Sequence, residues 1–172
     1  MLGELPTKPH EVRTVPGVGT AVRLNDGRLF LALTAPLEGR ADLVDARVWR
    51  WLDIRAGLPL VTAATQDQFV PQMANLELIG GVSFEKGCYT GQEVVARAHH
   101  LGKVKRRMFL AHVPVSAQPG DALYSEDLGD QASGMVVNAE ASPDGGHDLL
   151  AVVQAASRER SKVHLGALDG PV

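Results

Sequence analysis

Residues Phe84 to Glu93 read "FEKGCYTGQE", and they set the chain's one cysteine, Cys88, beside a lysine and just ahead of a helix start. Thr90-Gly91-Gln92-Glu93 fits a capping box, in which the threonine oxygen takes the N–H of Glu93 and the Glu93 carboxylate reaches back to the N–H of Thr90. Thr90 is therefore the predicted N-cap of a helix over "EVVARAHHLG". Val94, Val95, Ala98 and Leu101 form its apolar stripe and Gly102 its stop. Cys88 then lies near the positive end of the helix dipole, with Lys86 as a nearby cation on a loop loosened by Gly87. Both features favour thiolate over thiol. The alternative is a small buried apolar residue packed by Phe84 and Tyr89, since cysteine is among the most buried residue types. Spacing leaves both open.

Upstream, residues 1–11 carry two prolines and no periodicity and read as a lead-in. "RTVPGVGTAVRLNDGRLFLAL" holds short β-rich runs around Pro16-Gly17 and Asp26-Gly27, the second a strong hairpin signal. From about Asp42 to Ala56 the spacing becomes helical, with Val44, Val48, Trp51 and Leu52 on one predicted face. Gly57 and Pro59 end it. Trp49 points roughly 100° away from that face, where it can stack on a flat ligand or pack at the stripe's margin. "TQDQFVPQMANLELIGG" reads as a short helix and turn.

Downstream the pattern changes. "RMFLAHVPV", "ALYS", "ASGMVVNA", "HDLLAVVQ" and "SKVHLG" are short runs separated by Pro119-Gly120, Gly129-Asp130 and Pro143-Asp144-Gly145-Gly146. Such spacing predicts a small antiparallel sandwich or barrel. A boundary therefore falls near residue 105, giving an α+β part over 1–104 and a β part over 105–172.

Bulk composition narrows the function classes. With 45% hydrophobic and 22% charged residues, the 172-residue chain is globular rather than disordered. Its net charge of −3 gives no global attraction to nucleic acid or anionic membrane, so any such contact needs a local patch. One candidate exists: Arg97, Lys103, Lys105, Arg106 and Arg107 fall close together, with His99 and His100 between them. This run suits an anionic ligand or RNA, or equally a solvated helix end whose cations complement the dipole. A single cysteine forms no internal disulfide, no apolar run approaches the roughly 20 residues of a membrane span, and the N-terminus lacks a basic-then-apolar leader. A cytoplasmic protein without membrane contact is expected. No Gly-rich phosphate loop or Rossmann fingerprint is present, the histidines lack zinc-helix spacing, and no metal site is expected.

"KGCYTGQE" at 86–93, with "GLPL" at 57–60, "FVPQMANL" at 69–76, "GGVSF" at 80–84 and "GKVKRR" at 102–107, resembles the YgfZ group of folate-binding proteins, relatives of the glycine-cleavage T-protein aminomethyltransferases. The match covers about residues 12–110, and the β-rich tail resembles the family's C-terminal barrel more loosely. The resemblance implies an α+β fold: a truncated T-protein-like α/β domain followed by a small antiparallel β-barrel. It also implies a tetrahydrofolate-binding accessory protein that supports iron–sulfur cluster assembly or repair, and through iron–sulfur proteins tRNA modification. In that reading Cys88 is the working residue and Lys86 its motif partner, while Trp49, Tyr89, Gln92 and Arg97 contact folate. Family members are longer, and their first half supplies the opposite wall of the folate pocket. The chain is thus expected to be a fragment or a truncated member with an incomplete folate site. Aminomethyltransferases place a catalytic aspartate in that half and often a glutamate in the segment that here reads "DIRAGLP", where Arg55 stands. An aminomethyl-transfer activity, or a non-enzymatic RNA-binding role for the basic run, are the alternatives.

Overall fold

The computed structural model describes residues 4–36, 44–102 and 104–172. The chain falls into two units, Met1–Val44 and Asp45–Val172. The expected start of the first helix near Asp42 and one member of the basic run, Lys103, lie outside the described residues.

The first unit is an antiparallel meander of β1 (Val12–Val15), β2 (Gly19–Arg23) and β3 (Leu29–Leu33), paired in that order. Both turns fall where Pro16-Gly17 and Asp26-Gly27 predict them. At the second, Asp26 accepts from the Arg28 N–H at 3.0 Å and pairs with its guanidinium. Ahead of β1, Glu11 accepts from the N–H groups of Thr7 (2.7 Å) and Lys8 (3.0 Å) and from Arg13 Nε (2.6 Å). The Lys8 and Thr7 amides, then Arg13, lower its carboxyl to about 2.

In the second unit, five strands form one antiparallel sheet: β4 (Arg106–Val113), β5 (Ala122–Ser125), β6 (Ala132–Ala141), β7 (His147–Gln154) and β8 (Val163–Leu165). Their order is β4-β7-β6-β5-β8, so β4 and β8 are its edges. The sheet is a curled half-barrel, which is how the expected barrel is realised. β7 sits at the centre of the core because its sequence, HDLLAVVQ, is apolar on both faces. Leu149, Ala151 and Val153 enter one cluster with Val113, Leu123, Val136 and Leu165. Leu150 and Val152 enter a second with Met108, Val137 and Ile54. Val137 reaches the second cluster because a β-bulge between Val136 and Asn138 breaks the alternation.

Over that second face lies α1 (Ala46–Arg55), capped by Asp45, whose carboxylate accepts the Arg47 N–H at 2.8 Å. Its C-terminus is a Schellman turn, with Gly57 at φ +70° and the Leu58 N–H bonded to the Asp53 carbonyl at 2.9 Å. The buried face differs from the predicted stripe. Val44 and Val48 are exposed, and Ile54 is the helix's buried residue. The seam carries polar residues that bond to the sheet, so apolar periodicity mislocates it.

Residues 58–81 form turns rather than the expected short helix. Side-chain hydrogen bonds hold them in place. Asn138 Nδ2 donates to the Leu60 carbonyl and its Oδ1 accepts the Leu60 N–H, both at 2.8 Å. Asn75 Nδ2 donates to the Met108 carbonyl at 2.8 Å, and the buried Gln72 Nε2 donates to the Val95 carbonyl at 2.6 Å. Two short elements escape apolar patterning: a 3-10 turn at Glu126–Leu128 and α3 (Ala155–Arg160). Asp127 accepts from Ser157 Oγ (2.9 Å) and Ser161 Oγ (3.0 Å), which joins that turn to α3. Among the described residues no helix is long and apolar enough to cross a membrane.

Candidate functional site

The motif loop leads into α2 (Gln92–His100), but by a different cap from the one predicted. Gly91, in the left-handed region at φ +87°, is the N-cap, and no side-chain cap bond is made there. The chain turns one residue later than a Thr90 cap requires. The Gln92 side chain reaches back instead, its Oε1 accepting the Tyr89 N–H at 3.1 Å. Glu93 pairs with Arg97 at 3.0 Å across one helical turn; both are exposed, so the pair contributes at most a few tenths of a kcal/mol. Of the predicted stripe only Val95 is buried, Val94 and Leu101 being exposed.

Phe84 stacks on His99 with ring centroids 4.0 Å apart and meets the edge of His100 at 5.9 Å. The loop therefore folds back along α2, and the two histidines that lack zinc-helix spacing serve as its stacking partners. Cys88 and Lys86 are held outward and exposed. Exposure overturns the reading of Cys88 as a buried apolar residue. Lys86 Nζ lies 4.9 Å from the centre of the Tyr89 ring, a cation–π contact. Lys86, Cys88, Tyr89 and Gln92 are thus one local group, with Arg97 further along the same helix. Trp49 is on α1, which packs on β6 and β7. Two cavities border α1, one lined by Arg50, Ile54, Leu60 and Asn138, the other by Val48, Trp51, Ser142 and Pro143; neither includes Trp49 or the motif loop. Among the described residues no group of three or more His, Cys, Asp or Glu is placed to hold a metal ion.

A polar cluster beneath α1 has no signal in the local sequence. His112, Asp148 and Glu140 are directly opposed across β4, β7 and β6. Asp148 is buried; it accepts from Trp51 Nε1 (2.7 Å) and bonds His112 Nδ1 (2.8 Å), with Arg55 Nη1 at 3.8 Å. Glu140 pairs with Arg50 Nε at 2.9 Å. Burial raises the Asp148 pKa, but the bonds from His112 and Trp51 and the charge of Arg55 outweigh it and hold the carboxyl below its ordinary value.

The basic run divides into different roles. Arg107 is structural: its Nη1 donates to the Gln72 carbonyl at 2.8 Å and pairs with Glu77. Lys105 and Arg106 are exposed and border a cavity of about 370 Å³ walled by Val70, Met73, Ala98, Gly102 and Val104.

An exposed cysteine loop docked on a short helix, carried by an α+β unit with a curled antiparallel sheet, defines a class of protein in which one solvent-facing thiol is displayed from a rigid scaffold. No protein-family model matches the chain. It is 43% identical over 127 residues to the tRNA-modifying protein YgfZ of Edwardsiella ictaluri (strain 93-146). That match covers 70% of this chain and 38% of the relative's length. The chain belongs to the YgfZ-type family and corresponds to the C-terminal portion of that relative.

Proposed function

We propose that this chain is part of a tetrahydrofolate-binding accessory protein that supports iron–sulfur cluster assembly or repair, and thereby tRNA modification, with Cys88 as its working residue. The observation that carries this reading is the exposure of the only cysteine in a loop that Phe84 and the His99–His100 pair hold against α2. The relative's description as tRNA-modifying supplies the cellular context. A folate ligand fits the residue types around the loop. Tyr89 offers a partly open ring, Lys86 and Arg97 offer cations to the carboxylates of a folate tail, and the Gln92 amide keeps its N–H donors. Tetrahydrofolate supplies one-carbon chemistry when bound. Trp49 belongs to the same reading as a ring contributed from α1. Arg55, at the position where aminomethyltransferases often carry a glutamate, is turned toward Asp148, which favours an accessory role over aminomethyl transfer.

The test uses the longer protein that contains this chain, expressed in cells lacking their own family member. Cys88→Ala is expected to reduce the product of an iron–sulfur tRNA-modifying enzyme to the level of the empty vector. Full restoration by that variant sinks the reading. In parallel, alkylation of Cys88 should be slowed by tetrahydrofolate; a rate indifferent to folate separates the thiol from the ligand site. With one cysteine in these 172 residues, a digest identifies the modified peptide without ambiguity.

A further inference from the structure

We propose that the end of the sheet where β4 begins and α3 leaves β7 is an RNA-contacting surface, with Lys105 and Arg106 meeting phosphates and Arg158 stacking on an unpaired base. The fold brings these residues together from distant parts of the sequence. Arg106 pairs with Gln154 across the β4–β7 ladder, and the Ala155 N–H that opens α3 donates to the Lys105 carbonyl at 3.0 Å. Three residues into α3, the Arg158 guanidinium lies 4.8 Å from the centre of the Phe109 ring. Phe109 is itself on β4, three residues beyond Arg106.

Each part of this surface suits a polyanion that carries bases. Lys105 and Arg106 are exposed and form no ion pair among the described residues, whereas Arg107 beside them is neutralised by Glu77. Arg158 is exposed, so a guanidinium laid against a ring on one side presents its plane outward, the arrangement on which unstacked bases settle. The cavity of about 370 Å³ beside Lys105 and Arg106 has Val70, Met73 and Ala98 in its wall and offers apolar contact to a sugar or base. Acidic groups are nearby: Glu159 is on α3, while Asp127 is occupied by Ser157 and Ser161. Because the chain's net charge is −3, attraction must come from this local cluster. RNA is chosen over an acidic protein because the stacked guanidinium recognises a planar base, and because of the tRNA-linked reading above; the rest of the case does not depend on that reading.

The experiment is a fluorescence titration of the chain with an unmodified transfer RNA transcript at several salt concentrations. Affinity is expected to fall steeply with salt, at about 0.7 to 0.9 counterions per phosphate contact. The triple variant K105Q/R106Q/R158Q should bind at least about tenfold more weakly, with a salt slope shallower by about 1.5 to 2. Arg158→Lys keeps the charge and loses the plane, so it should bind about tenfold more weakly with an unchanged slope. Equal binding by the triple variant and the parent, salt-insensitive binding, no binding, or tighter binding of polyglutamate than of RNA overturns the proposal. Thermal melts of each variant establish that it is folded. The titration contains no folate and reads no cellular phenotype, so its failure and the failure of the Cys88 reading are separable.

Discussion

Asp148→Ala is expected to destabilise the second unit by about 3 kcal/mol at neutral pH, the range seen when a buried hydrogen-bonded charge loses its partners. The loss has identifiable parts. The Trp51 indole N–H loses its acceptor in a half-buried seam, and His112 and Arg55 lose the anion that faces them. Like charges directly opposed on neighbouring strands repel, and Glu140 opposes Asp148; Arg50 and Arg55 on α1 compensate the pair. The cluster therefore latches α1 to the sheet. Because the folded Asp148 pKa is depressed, its contribution is present above the unfolded value of about 3.9 and fades as pH falls through the folded value. Urea denaturation followed by tryptophan fluorescence reads the latch directly, since both tryptophans, Trp49 and Trp51, are on α1. A parent–variant gap that is full at pH 7 and shrinks below about pH 4 is the expected result. A gap under about 1 kcal/mol at pH 7 would show that the cluster is only a solvated surface network.

Asn138→Ala should destabilise the same unit by about 2 kcal/mol, because one side chain satisfies both backbone groups of Leu60. Asn138 sits directly after the bulge in β6 and is nearly buried, so its amide acts as a substitute strand partner for a segment without regular structure. Asn138→Asp separates the donor from the acceptor. It keeps the bond from the Leu60 N–H but sets an oxygen against the Leu60 carbonyl, and should cost as much as alanine or more. Faster amide exchange at Leu60 in the alanine variant, with β6 and β7 still protected, is the matching local signal. Unchanged exchange there would show that the segment is held by Gln72 and Asn75 alone.

The strands were legible because their causes are local. Short β-rich runs bounded by Pro-Gly, Asp-Gly and Gly-Asp turns predict β1 to β8 where they occur, and the central position of β7 follows from a run apolar on both faces. Helix ends were legible in part. Gly57 and Pro59 mark the end of α1, while the Thr90 capping box gave way to Gly91, because a glycine that takes a left-handed turn decides where the first helical residue begins.

By itself the sequence determined the strand-and-turn pattern, the existence of α1 and α2, and a motif specific enough to point to the YgfZ-type family. Tertiary structure alone decided which faces are buried and which charges remain available. Ile54 rather than Val44 meets the core, Arg107 is neutralised by Glu77, and Arg158 comes to the start of β4 from fifty residues away. The physical reason is that periodicity reports how side chains are arranged around one element. Burial, ion pairing and stacking depend on which other element is laid against it, and only the pairing of distant strands fixes that.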